Sequence, residues 1–410
     1  MLTKEENDRL TRVGPGTPCG ELLRRYWHPL CPAAELTPEK PKKRIKVMGE
    51  DLVVLRTASG RYACIEEHCP HRGASLYYGF VEGDAIRCCY HGWKYELGGQ
   101  CIEQPFEPKG DGFKDRIRLV SYPVQKLAGL LFVYMGPDPA KAPLLPRWDV
   151  LVRNDGRRTI QLLPIHRCNW LQCEENTADS VHTYYLHGQM WLERRLPNQA
   201  DAAYYRRPIE HYDWKVCEWG IEKELVYGGD PSEVEIRPPL IFPNILRIPQ
   251  GPVEAIHWRV PIDDYNTRIV WVGFLPAANG EIQTNENEDP PIEYLPDMLT
   301  PEGEHQLTSF YSQDRMAWES QGPIFDRSRE HLGASDRGVV MFRRMLAEQI
   351  ARVERGEEPT VAVARDPERN RMISFPSATR PWGTEAVLSL VESGEPIESR
   401  DTSAGTRSVK

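Results

Sequence analysis

Apolar and polar residues alternate along two long parts of this chain. From Ile45, the stretch IKVMGEDLVVLRTASGRYACI reads as strand, turn, strand, turn, strand, with Gly49-Glu50 and Ser59-Gly60 at the turns. Strands continue through GLLFVYMGP, and the whole of 45–137 reads as a small antiparallel β-domain with two projecting loops. A Pro-rich connector, DPAKAPLLPRW, follows, and the pattern changes. HRCNWLQCEENTADSVHTYYLH has helical spacing; residues 205–275 alternate again, most clearly in IHWRVPI and TRIVWVGFL; TPEGEHQLTSFYSQDRMAWES returns to helix. The most regular helix is GASDRGVVMFRRMLAEQIARVERG. Val339, Val340, Phe342, Met345, Leu346, Ile350 and Val353 form its apolar stripe, Ser335 or Asp336 is placed to cap it, and Gly356 to end it. In front of all this stands a turn-rich lead-in, GPGTP, and ELLRRYW with helical spacing. The pattern therefore predicts an α+β chain: lead-in 1–26, β-domain 27–140, a second domain over 150–376 with an antiparallel sheet and helices on one side, and a polar tail 377–410.

Composition narrows the function. The chain has 410 residues and a net charge of −9, a balance that argues against nucleic acid as partner, because phosphate binding needs surplus Lys and Arg. No apolar run approaches the ~18 residues that span a bilayer. LAGLLFVYM is short and reads as a buried strand, and the charged MLTKEENDRL lacks the apolar core of a signal peptide, so a cytoplasmic location is expected. Ten cysteines in such a chain are expected as thiols, some of them ligands and the rest small buried apolar groups.

The ligand candidates lie in the two projecting loops. Cys69-x-His71 is followed, sixteen residues on, by Cys88-x-x-His91. Cys₂His₂ is a common structural zinc set, but zinc fingers keep cysteines together and histidines together. Here each pair is mixed, which suits a cluster with two different irons, one held by both thiolates and one by both imidazoles, as in a Rieske [2Fe–2S] centre. Neutral imidazoles make such a cluster less negative, so it accepts an electron more readily. Cys89 offers a rival Cys-x-His spacing, but Cys88-x-x-His91-Gly92-Trp93 resembles the Rieske family's motif and selects Cys88. His68, Cys64 and Cys101 read as neighbours without a ligand role.

An electron relay leaves the second domain without a task. NWLQCEENTADSVHTYYLHG holds Asp179, His182 and His187. Two histidines and a carboxylate make the facial triad of non-haem Fe(II) oxygenases. On a straight helix, residues five apart are separated by about 140°, so His182 and His187 can share a metal only if the helix breaks or tightens between them; Gly188 suits a helix end.

Taken together, these motifs resemble the Rieske non-haem iron oxygenases, the terminal oxygenase (alpha) subunits of aromatic ring-hydroxylating systems. Asp179-x-x-His182-x₄-His187 is similar to that family's mononuclear iron motif, preceded by Glu175-Asn176. GPGTPCGELLRRYWHP and QDRMAWESQGPIFDRSREHLGASD are most similar to the phthalate 4,5-dioxygenase branch, which includes aryl O-demethylases. The resemblance implies a Rieske domain over 27–140 and a helix-grip catalytic domain over 150–376. It implies a cluster on Cys69, His71, Cys88 and His91, and Fe(II) on His182, His187 and a distant carboxylate. Asp314 fits that carboxylate best, ahead of Glu319, Asp326 and Asp336. Asp179 then bridges an iron histidine to a cluster histidine of a neighbouring subunit in a homotrimer or hexamer, and Asn176 stands near the iron.

Further expectations follow from the family. Electrons come from a separate NAD(P)H-dependent reductase, directly or through a ferredoxin, since the chain has no FAD or NAD fingerprint. The substrate is an aromatic acid oxidised with O₂, by O-demethylation of a methoxylated acid similar to 5,5'-dehydrodivanillate, or by phthalate-type ring dihydroxylation. An arginine would meet its carboxylate. Arg206, Arg207, Arg237, Arg247 and Arg259 lie in the strand-rich segment, and Arg247 is preferred for its strand position; Trp258, Trp271 and Phe274 are core or pocket residues. Two other readings use fewer of these residues: a Rieske electron carrier with a non-catalytic binding domain, and a zinc-stabilised binding module.

Overall fold

The computed structural model describes residues 1–108, 110, 112–194, 202–203, 205–227, 234–250, 253–278 and 284–375. The polar tail expected from residue 377 lies outside them. The lead-in forms helices α1 (Lys4–Thr11) and α2 (Pro18–Leu23). Thr3 and Glu6 close a reciprocal capping box on α1, while Thr17 caps α2 with Pro18 at its first position. ELLRRYW is therefore helical only to Leu23; Trp27 already begins a strand.

Three small antiparallel sheets follow. One joins β1 (Trp27–Pro32), β11 (Leu130–Tyr134) and β10 (Val124–Leu127). The second has the order β2 (Lys42–Val47), β3 (Glu50–Arg56), β4 (Tyr62–Glu66), β9 (Ser121–Tyr122). The third is β5 (Phe80–Val81), β6 (Ala85–Arg87), β7 (Lys94–Glu96), β8 (Cys101–Glu103). Gly49 and Gly60 sit at positive φ in the turns flanking β3, as the sequence predicts.

The second part is built on one eight-stranded sheet. Its order is β13 (Ile209–Cys217), β14 (Gly220–Tyr227), β15 (Val234–Ile241), β16 (Ile245–Gln250), β17 (Val253–Pro261), β18 (Thr267–Pro276), β12 (Gly156–Leu162), β19 (Ile292–Tyr294). All pairings are antiparallel except β12 with β19 at the edge. Both faces of β17 are covered. Ile256, Trp258 and Val260 join the large core shared with the small domain, where Trp258 meets Phe132 edge-on at 5.6 Å. Ala255, His257 and Arg259 alternate with them and face the other way. On that side pack helices α4 (Trp170–Ala178) and α6 (Phe310–Glu319), through Cys173, Tyr311 and Trp318. Two short helices, α3 (Asp149–Val152) and α5 (Met190–Glu193), precede and follow α4 along the chain.

Helix α7 (Arg337–Glu354) buries Val339, Phe342, Met345, Leu346, Ile350 and Val353 of the predicted stripe, and Gly356 follows it at positive φ. The expected cap is corrected: Asp336 occupies the cap position, but its Oδ2 accepts from Gly333 N at 2.6 Å and makes no side-chain cap bond to the helix. No helix among the described residues is long and apolar enough to cross a membrane.

Candidate metal centres

The two loops with mixed ligands, one joining β4 of the second small sheet to β5 of the third and one joining β6 to β7, close in the same manner. Gly73 N donates to the Cys69 carbonyl at 2.8 Å, and Gly92 N to the Cys88 carbonyl at 3.0 Å. Both glycines have positive φ, a backbone that L side chains rarely adopt, so the tight return of each loop depends on them. Arg87 braces the second loop by donating to the Gly92 carbonyl at 2.7 Å. The loops separate their ligands by chemistry. Cys69 and Cys88 are buried at 2% and 3% exposure, among Leu76, Ile86, Trp93 and Tyr95. His71 and His91 lie half-buried further out, with ring centroids 4.5 Å apart, and His71 stacks on Trp93 at 4.3 Å. Burial raises the Cys69 thiol pKa, while the Tyr95 hydroxyl at 3.1 Å and the His71 backbone N–H favour its thiolate. Two inner thiols and two outer imidazoles fit a cluster with one thiolate-held and one imidazole-held iron. Cys89, in contrast to Cys88, is exposed. Cys64 lies in the core, Cys101 is buried with its thiol toward the Glu103 carbonyl, and exposed His68 binds the Gly73 carbonyl through Nδ1.

The second centre is assembled from α4, the segment after it, and α6. Helix α4 ends at Ala178, and the sheet side chains finish it: Lys223 Nζ donates to Thr177 O at 2.7 Å, and Trp214 Nε1 to Ala178 O at 2.9 Å. Asp179 then caps the next turn, accepting at Oδ1 from the backbone N–H of Val181 at 2.8 Å and of His182 at 3.3 Å. From His182 the chain is helical again, but it neither breaks nor tightens before His187. It widens into a π-helical segment, Tyr184–Gln189, and runs on through Gly188 into α5. A π-turn bonds residue i to i+5, which brings residues five apart onto one side of the helix. This corrects the expectation of a helix end at Gly188.

His182, His187 and Asp314 each offer one ligand atom, all within 4.8 Å of one another. Asp314 Oδ1 lies 3.3 Å from His187 Nε2 and 3.8 Å from His182 Nε2. Both Nδ1 atoms are engaged behind the rings: His182 at 3.0 Å from the Asp179 carbonyl, His187 at 2.9 Å from Gln313 Oε1. With Nδ1 protonated in each ring, both Nε2 lone pairs are left toward Asp314, so the donor set fits a single divalent iron. Asn176 Nδ2 approaches Asp314 Oδ1 at 3.4 Å. Burial opposes charge throughout, yet the carboxylates of Asp179 and Asp314 raise the His182 pKa, and the two histidines lower that of Asp314. Phe310 meets the His187 ring at 5.0 Å and Trp191 at 4.7 Å, closing the site on that side.

The remaining candidates have other partners. Glu319 accepts from Arg167 N and Arg315 Nε, and Asp326 from Ser328, so neither faces the histidines. Arg247 is a correction. It pairs in register with Ile256, which places it on the sheet face opposite His257, and its buried guanidinium is bound by Asp149 and Glu254. It is a core ion triad, away from the iron-site helices. Arg259 does face α4, 3.7 Å from the fully buried Glu174. Arg206 lies over the Tyr184 ring at 4.5 Å, Arg207 is half-buried, and the Arg237 side chain falls outside the described residues. Trp258, Trp271 and Phe274 are core residues. Gln313 was not anticipated; its only signal in the sequence is its place beside Asp314.

Comparison with known proteins identifies the family. Residues 26–123 match the Rieske [2Fe-2S] domain, and residues 300–386 match a "LigXa C-terminal domain like" family. The chain is 38% identical to the 5,5'-dehydrodivanillate O-demethylase oxygenase subunit of Sphingobium sp. (strain NBRC 103272 / SYK-6), over 93% of this chain and 88% of that protein. It is 34% identical to phenoxybenzoate dioxygenase subunit alpha of Ectopseudomonas oleovorans, over 86% of each chain. It is 30% identical to the phthalate 4,5-dioxygenase oxygenase subunit of Pseudomonas putida, over 87% of this chain and 88% of that protein. Among solved structures, NdmA of Pseudomonas putida CBB5 shares the fold at a TM-score of 0.59 and 19% identity, covering 85% of this chain and 99% of that one. The oxygenase of carbazole 1,9a-dioxygenase, solved with its ferredoxin, does so at 0.56 and 18%, covering 84% and 94%. With a matching Rieske domain and relatives of this identity along most of its length, the chain belongs to the Rieske non-haem iron oxygenases, as an oxygenase subunit of the phthalate dioxygenase and aryl O-demethylase branch that carries a [2Fe–2S] cluster and a mononuclear iron.

Proposed function

We propose that this subunit O-demethylates a methoxylated aromatic acid of the 5,5'-dehydrodivanillate type. The observation that carries the reading is the convergence of His182, His187 and Asp314 in a chain that aligns over 93% of its length with a demethylase oxygenase subunit. In this reading Cys69, His71, Cys88 and His91 hold the cluster, and His182, His187 and Asp314 hold the iron. When bound, the iron supplies O₂ activation, with positions left open by its three protein ligands.

The chain's own residues supply position and shielding. Asn176 keeps its amide toward the Asp314 carboxylate. Phe310 and Trp191 keep water from the His187 side. Asp179 holds His182 from one side while its side chain stays 26% exposed, which lets it reach a cluster histidine of a neighbouring subunit in a homotrimer or hexamer. A separate NAD(P)H-dependent reductase, directly or through a ferredoxin, delivers electrons; the solved pairing of the carbazole 1,9a-dioxygenase oxygenase with a ferredoxin supports such a partner. The reaction balances as aryl methyl ether, O₂, two electrons and two protons giving phenol, formaldehyde and water.

The test is a single turnover of the reduced protein under ¹⁸O₂ with phthalates, methoxybenzoates and methoxylated biaryl acids. A phenol with one equivalent of formaldehyde is expected from a methoxylated acid. A diol carrying two labelled oxygens and no formaldehyde would replace demethylation by ring dihydroxylation.

A further inference from the structure

We propose that Gln313 is the positioning residue that fixes His187 in its metal-binding tautomer. The proposal rests on the reading of His182, His187 and Asp314 as the iron site.

Gln313 is fully buried on α6, directly before Asp314. Its Oε1 lies 2.9 Å from His187 Nδ1, and its Nε2 donates to the Leu307 carbonyl at 3.3 Å. The second bond decides the first. A carbonyl can only accept, so the amide NH₂ must face Leu307 and the amide oxygen must face the imidazole. Nδ1 therefore carries the proton, and Nε2 keeps its lone pair toward Asp314 Oδ1, 3.3 Å away. A flipped amide would set oxygen against the Leu307 carbonyl and NH₂ against Nδ1. That arrangement favours the Nε2–H tautomer, which cannot bind a metal at Nε2.

One helix thus sets three groups around His187: Phe310 against the ring, Gln313 at Nδ1 and, across the metal position, Asp314 Oδ1 3.3 Å from Nε2. The two histidines differ in what stands behind them. His182 has the Asp179 carbonyl, with the Asp179 carboxylate at 3.6 Å, on the partly exposed side. His187 has a buried neutral amide, which orients the ring without adding a second charge beside Asp314.

The experiment uses the full-length, cluster-loaded protein, stripped of mononuclear iron by chelation and titrated with Co(II) alone. The visible bands of bound Co(II) are read, and the cluster spectrum serves as an internal reference. Gln313→Leu is expected to weaken Co(II) binding roughly 10- to 100-fold, the range seen when a partner behind a metal ligand is removed. Gln313→Glu, which keeps an acceptor at the same point, is expected to restore it; a merely structural role would not be rescued in this way. Wild-type affinity in Gln313→Leu, or loss in Gln313→Glu as severe as in His187→Ala, overturns the proposal while leaving the iron site standing. If Gln313→Leu does not fold, the Gln313→Glu arm decides alone. If His187→Ala itself binds Co(II) like wild type, the iron-site reading fails and the proposal with it.

Discussion

Gly338, the second residue of α7, poses a contest between helix propensity and packing. Alanine is favoured over glycine by up to about 1 kcal/mol inside a helix. At this position, however, a Cβ would lie 2.3 Å from Trp214 Nε1 and 2.6 Å from Ala178 O. These are the two ends of the 2.9 Å hydrogen bond that finishes α4. Overpacking of this kind costs about 1–3 kcal/mol, and a buried carbonyl stripped of its donor costs about 1–3 kcal/mol more. The net effect of Gly338→Ala is a loss of roughly 1–5 kcal/mol, with sterics outweighing propensity. Because Asp179 follows Ala178 directly, the same change displaces the residue that holds His182. The assay is urea unfolding followed by tryptophan fluorescence, paired with the rate of cluster reoxidation in a single turnover. Gly333→Ala is the control, since a Cβ there meets Asp336 Oδ2 at an ordinary 3.7 Å. A Gly338→Ala protein as stable as wild type would show that α7 does not press on the end of α4, and the reasoning would be refuted.

Three other outcomes are expected. Arg247→Met leaves Asp149 buried without its cation, costing about 3–5 kcal/mol in denaturant unfolding while the folded fraction keeps its substrate KM; a raised KM at unchanged stability would return Arg247 to substrate binding. Tyr95→Phe removes the hydroxyl that donates to Cys69 Sγ at 3.1 Å and favours the more negative, reduced cluster. The cluster midpoint should fall by roughly 20–60 mV in a spectroscopic redox titration, and an unchanged midpoint would exclude the role. Burial lowers the pKa of His28 and of His166 to about 4, so the folded protein keeps both neutral where the unfolded chain takes up protons. Their contribution to stability is full above pH ~6.5 and is lost as pH falls toward the folded value, at up to ~1.4 kcal/mol per pH unit for each histidine. The urea midpoint should therefore drop between pH 7 and pH 5, and a flat profile would contradict it.

The cluster loops were legible because their chemistry is local: ligands and turn glycines stand within a few residues of one another. Six strands of the large sheet, β13 to β18, were legible from alternation, while β12 and the parallel edge strand β19 were not. Alternation does not say which face meets the site, and that is why Arg247 was misread: one step of register separates it from the face that holds His257. The π-helical segment has no composition signature, since the widening of a turn shows only in its hydrogen bonds. Asp314 was reached through resemblance, because it stands 127 positions after His187 and no local pattern joins them. Gln313 stayed hidden because a glutamine becomes informative only when its partners are known.

Two contacts of helix α1 join distant parts of the chain. Asn7 bonds the Phe325 carbonyl 318 positions downstream, and Arg9 pairs with Glu354 345 positions downstream. At about 5–20 residues per second, a ribosome needs roughly 17–70 s between making Arg9 and making its partner. The strands that carry the cluster loops, β1 to β11, are all synthesised within that interval. The bonds of α1 to Phe325 and Glu354 can therefore close only after those strands have left the ribosome.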